Sequence, residues 1–140
     1  METKVISAVG THIITELSGC SVAKLSDLDG VREALLEAAK RAQATVLDVS
    51  LHRFQPQGVS GVAVIAESHI SVHTWPELGY AALDIYTCGE TALPEKGCAY
   101  LSGYFEAEQV CSSIIKRGLS SVPGVYGHEF TAHGNAGKPE

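Results

Sequence analysis

The sequence predicts an α+β domain, a mostly antiparallel sheet with helices packed on one face, in effect a two-layer sandwich. Three observations carry this. The stretch VREALLEAAKRA has a helical period. Several β-rich runs follow one another in mid-chain, broken by turn residues. The elements come in the order strand, helix, several strands, helix, strand. A chain of 140 residues is one domain. Folding it buries roughly two-thirds of its surface, enough for a real core.

Taken in order, His12 to Leu17 (HIITEL) reads as a strand. Val31 to Ala42 reads as a helix, because Val31, Leu35, Ala38, Ala39 and Ala42 recur on one face. Ser26, Asp27 and Asp29 supply its N-cap and favourable charge at its start. Thr45 to Phe54 is β-rich, and Gln55 to Gly58 (QPQG) is a loop. Val59 to Ala66 is an apolar, β-branched run and a central strand. Ser68 to Thr74 continues the β character, Trp75 to Gly79 (WPELG) turns the chain, and Tyr80 to Tyr86 returns. Leu93 to Phe105 is a second helix with Pro94 in its first turn and two glycines, Gly97 and Gly103, inside it. Val110 to Lys116 is the last strand expected. Residues 131–140 have the composition of a flexible tail. The sheet face away from the helices needs a cover, and a second copy of the chain is the simplest one.

Composition narrows the function classes. The net charge is −6 with ten Lys and Arg in no basic stripe, so nucleic acid is not an expected partner. No apolar run approaches the roughly 18 residues that cross a bilayer, and METKVISAVG lacks a signal-peptide layout. A cytoplasmic protein without a membrane partner is expected. Cys20, Cys88, Cys98 and Cys111 form no CxxC pair and read as reduced thiols.

The densest chemistry lies in ESHISVHTWPELGYAALDIYTCG, Glu67 to Gly89. A strand there puts His69, Ser71 and His73 on one face and Ser68 on the other. A serine hydroxyl that attacks the preceding carbonyl turns the amide into an ester. Elimination and hydrolysis then leave a pyruvoyl group. That needs a base and an oxyanion donor. His73 and His69 are candidate bases, and Ser60 in GVSG can add a polar contact if the strands pair. A metal pair at His69 and His73 suits a helix rather than a strand, and no third ligand is evident, so no metal is expected. GVSG is not a GxSxG nucleophile elbow, which argues against a hydrolase. Taken singly, Trp75 reads as a packed turn and each cysteine as a small buried hydrophobe. His12, His128 and His133 read as structural or exposed.

HRF (His52–Phe54), GVSG (Gly58–Gly61), ESH (Glu67–His69), HTWPE (His73–Glu77), GYAALD (Gly79–Asp84) and TCG (Thr87–Gly89) stand in one order and spacing. In these the chain resembles the small bacterial and archaeal S-adenosylmethionine decarboxylases, pyruvoyl enzymes made as a proenzyme. The match is strong from His52 to Gly89, softer over GTHIITEL and weak after Gly89. The resemblance implies autocatalytic cleavage at Glu67-Ser68 into a beta chain, 1–67, and an alpha chain, 68–140. By it, Ser68 becomes the covalent pyruvoyl cofactor that forms a Schiff base with the substrate. His73 assists processing and Ser60 supports it. Cys88 returns a proton to the product carbon. Phe54 and Trp75 stack the adenine, and Glu77 holds the ribose. It further implies a homodimer whose active sites draw on both subunits, and a product, S-adenosylmethioninamine, that donates aminopropyl groups for spermidine and other polyamines.

The residues fit that chemistry. A thiol with an ordinary pKa near 8.5 serves as an acid close to neutral pH. Aromatic faces suit a purine and tolerate a sulfonium, and a carboxylate accepts two ribose hydroxyls. Two alternatives compete: the same fold acting on ornithine or arginine, and an unprocessed non-catalytic paralogue. Phe54, Trp75 and Glu77 favour the first reading over the former, and Ser68 with Cys88 disfavours the latter.

Overall fold

The computed structural model describes residues 8–66 and 68–136, with side chains as far as residue 131. Seven strands form one sheet: β1 (Gly10–Ser18), β2 (Val46–Arg53), β3 (Val59–Ile65), β4 (Ser68–Trp75), β5 (Tyr80–Cys88), β6 (Gln109–Val122) and β7 (Val125–Ala136). Their order is β2-β3-β4-β5-β1-β6-β7, and every neighbouring pair is antiparallel. The described residues also form three helices, α1 (Val22–Leu25), α2 (Leu28–Arg41) and α3 (Pro94–Tyr104), and a 3-10 turn at Pro76–Leu78.

The α2 stripe is the one its sequence marks. Val31, Leu35, Ala38, Ala39 and Ala42 are fully buried, and Ala34 joins them. Asp27 caps the helix by accepting from the Gly30 amide at 3.1 Å. Small residues on this face let α2 lie close to β3 and to α3. Gly97 is a point of close approach: a Cβ there would sit 2.9 Å from Ile85 Cδ1 and 3.2 Å from the Ala38 carbonyl. The glycine that weakens α3 as a helix is what lets it pack.

Alternation along the strands divides the sheet. Ile13, Leu17, Ala63, Ile65, Ile70, Val72, Ala81, Leu83 and Ile85 are buried in the core with α2 and α3. His12, Ile14, Val62, Val64, His69, Ser71, His73, Ala82, Asp84 and Tyr86 occupy the other face. Among the described residues no helix covers it, and Ile14 and Val64 stand exposed there.

Three features differ from expectation. α1 is a short extra helix, capped by Ser21. β6 is twice as long as expected and is not the last strand: Pro123-Gly124 turns the chain, with Gly124 at φ 82°, into β7. β7 runs to Ala136, through the first part of the segment expected as a tail; residues 137–140 lie outside the described residues.

Candidate active site

The β3–β4 register sets Ser60 opposite His73, and their side chains meet at 2.7 Å between Oγ and Nδ1. The contact anticipated from strand pairing therefore forms. Beside it, Trp75 ends β4 and stacks on Tyr80, with ring centroids 5.1 Å apart. Phe54 follows β2 and packs edge-on to His52 at 4.6 Å. Glu77 lies exposed in the 3-10 turn, which Gly79 closes in the left-handed conformation at φ 63°. Because β2 and β3 pair antiparallel, Phe54, Ser60, His73, Trp75 and Glu77 all lie at one end of the sheet.

Ser68 and Cys88 lie at the other end. Ser68 opens β4, Cys88 closes β5, and Ser68 Oγ is 3.5 Å from Cys88 Sγ. Both are half-buried. Glu67 lies outside the described residues. His73 and Ser68 are five residues apart on one strand, which at about 3.3 Å per residue separates them by roughly 16 Å. His73 therefore does not reach Ser68 within one chain. Sequence proximity had made it a candidate base for its own neighbour, and strand extension takes it away.

Between the two ends is a cluster that the sequence did not disclose. Asp84 Oδ2 accepts from His12 Nε2 at 2.6 Å and from His69 Nε2 at 2.8 Å, and its other oxygen accepts from the Ser71 hydroxyl. Arg117 reaches His12 Nδ1 at 3.2 Å and lies over the Tyr86 ring at 4.7 Å. Burial alone would raise the Asp84 carboxyl; the donors from Ser71, His12 and His69 outweigh it and hold the group below its ordinary value. His69, considered with His73 for a metal, thus meets His12 and Asp84 instead, and the three ligand atoms lie within 4.8 Å of one another. The signal was the two-residue period: it puts His12, His69, Ser71 and Asp84 on one face once the strand order is known.

The other thiols are of a different kind. Burial pushes Cys20 up to about 11 and Cys98 up to about 12. Cys111 is half-buried rather than buried. His128 is exposed on β7, and His133 lies beyond the described side chains. Among the described residues, no helix is long and apolar enough to cross a membrane.

Comparison with known proteins places this arrangement. A sequence model described as S-adenosylmethionine decarboxylase matches residues 11–118. The S-adenosylmethionine decarboxylase proenzyme of Moorella thermoacetica is 48% identical over 116 residues, 83% of this chain and 93% of that protein. The proenzyme of Pyrococcus abyssi is 49% identical over 123 residues, 88% of each. The crystal structure of the adenosylmethionine decarboxylase from Aquifex aeolicus superposes with a TM-score of 0.77 at 33% identity, covering 82% of this chain and 95% of that one. The Trypanosoma brucei AdoMetDC-delta26 monomer, at 12% identity and a TM-score of 0.57, shares the fold over 75% of this chain and 45% of its own.

Proposed function

The chain belongs to the S-adenosylmethionine decarboxylase family, and on that premise we propose that it releases CO₂ from S-adenosylmethionine after cutting itself between Glu67 and Ser68. The observation that carries this reading is the Ser68 hydroxyl against the Cys88 thiol at 3.5 Å. A serine at the start of a strand, beside an accessible thiol, fits the precursor of a pyruvoyl group and its proton donor. Once formed, that group supplies a ketone for the substrate amine and a sink for the electrons that CO₂ leaves behind. Cys88 holds the proton that returns to the substrate carbon. Trp75 and Phe54 offer exposed aromatic faces to the adenine, and Glu77 an exposed carboxylate to the ribose. The product is S-adenosylmethioninamine, an aminopropyl donor for spermidine, made in the cytoplasm.

The processing partners of Ser68 come from a second copy. Ser60 and His73 are hydrogen-bonded to each other but lie at the far end of the sheet from Ser68. A two-fold homodimer that packs the uncovered faces together sets the Ser68–Cys88 end of one chain against the Ser60–His73 end of the other, twice. Phe54, Trp75 and Glu77 then join the same composite site, and Ile14 and Val64 leave water.

An assay of the cleaved enzyme with labelled S-adenosylmethionine, ornithine and arginine tests the substrate. CO₂ is expected from the first alone. Stacking a base on an aromatic ring contributes about 1–3 kcal/mol, so Trp75→Ala should raise KM about tenfold or more while self-cleavage continues. Faster CO₂ release from ornithine or arginine would overturn the assignment in favour of a basic amino acid decarboxylase.

A further inference from the structure

We infer that Asp84 is a positioning residue for self-cleavage: it clamps the His69 ring and so fixes the backbone of Ser68. The inference rests on the reading of Ser68 as the cleaved residue. An attack by Ser68 Oγ on the carbonyl before it requires the hydroxyl to be held in one rotamer over one peptide plane. Freedom lost beforehand is a large part of any such barrier. The Ser68 side of that bond has two anchors. The main chain of His69 pairs with Tyr86 on β5, and the His69 side chain donates to Asp84 on the same strand at 2.8 Å. Asp84 is in turn fixed by Ser71, two residues further along β4, and by His12 from β1. One carboxylate therefore ties three strands together directly behind the residue that must react.

The cluster is bridged by protons. Arg117 donates to His12 Nδ1, which leaves the proton of that ring on Nε2, facing Asp84. An ion held by both Nε2 atoms would put the His12 proton on Nδ1, against the guanidinium. The contacts of 2.6 and 2.8 Å are hydrogen-bond lengths, whereas two ligands on one Zn²⁺ at about 2.0–2.1 Å stand farther apart. The hydrogen bonds of Asp84 run to Ser71, His12 and His69, whereas Ser60 and His73 bond to each other, so the clamp and the groups proposed to move protons during cleavage use different contacts.

Cleavage of purified full-length chain is followed by denaturing mass spectrometry in wild type, Asp84→Asn, His69→Leu, the double variant and His69→Gln. A Gln amide nitrogen can occupy the place of Nε2 and donate to Asp84. Asp84→Asn and His69→Leu should each slow cleavage about tenfold or more, and the double variant should be no slower than the worse single, because both remove one contact. His69→Gln should recover most of the rate. The ring ¹⁵N shifts of wild type should show His12 with its proton on Nε2. Wild-type chain that stays whole overturns both the clamp and the reading of Ser68. A cleaving wild type overturns the clamp alone if Asp84→Asn keeps pace with it, if the two losses add, or if His69→Gln is as slow as His69→Leu. Cleavage stopped by a chelator and restored by Zn²⁺ overturns it as well.

Discussion

Asp84 carries charge on a half-buried strand because Ser71, His12 and His69 all donate to it. Its carboxyl is held below the ordinary 3.8, so the folded state binds its proton less readily than the unfolded chain does. The stability this contributes is present above that ordinary value and is lost as pH falls through the lowered one. Thermal melts taken from neutral pH down below 3.8 should therefore fall more steeply for wild type than for Asp84→Asn, the two curves converging in acid. Parallel curves would remove Asp84 from the acid response. The thiols give a second prediction at this scale. With Cys20 raised to about 11 and Cys98 to about 12 by burial, native protein treated with iodoacetamide at neutral pH should label Cys88 well before either. Equal labelling of Cys98 would contradict the burial that defines the core. Ser68 and His69 could be singled out as candidates in the sequence because they are neighbours in one motif. His12 could not be singled out so: it is 72 residues from Asp84, and only β1 inserting beside β5 joins them.

Elements were legible in proportion to how strongly local pattern and packing agree. The α2 stripe, the β3–β4–β5 run and the 3-10 turn all appear where apolar period and Pro-Gly punctuation put them. β7 was missed because its apolar residues do not mark a buried face: Val125, Tyr126 and Phe130 are exposed. Its readable mark was Pro123-Gly124 after a β-rich run. α1 is only four residues long, too short for any period to show. The two glycines of α3 look alike in sequence and differ in packing. Gly103 has open space where a Cβ would go, whereas Gly97 has Ile85 and Ala38. Gly103→Ala should stabilise the fold by up to about 1 kcal/mol through helix propensity. Gly97→Leu should destabilise it by about 1–3 kcal/mol, since α3 must move off α2 and β5. Denaturant midpoints compare the two; a neutral Gly97→Leu would mean that the helices do not meet there.

At the scale of the whole molecule, the antiparallel sheet was readable from the order of elements, but the division of its chemistry was not. Extending β4 sends Ser68 and His73 to opposite ends, roughly 16 Å apart at about 3.3 Å per residue. Each chain then holds two side-chain pairs at opposite ends of the sheet: Ser68 with Cys88, and Ser60 with His73. Proximity in sequence concealed this, because five residues are a short step in a helix and a long one in a strand. The proposed enzyme is complete only when one chain supplies the serine and another the histidine. The most direct test co-expresses Ser68→Ala and His73→Ala chains, each carrying a different tag, and weighs both under denaturing conditions. Either chain alone should stay whole or nearly so. In the mixed dimer the His73→Ala chain should be cut after Glu67, because its intact Ser68 meets the partner's intact histidine, and the Ser68→Ala chain should remain uncut. A His73→Ala chain that is cut as fast without its companion as with it, or that stays whole in the mixed dimer, would contradict the composite site.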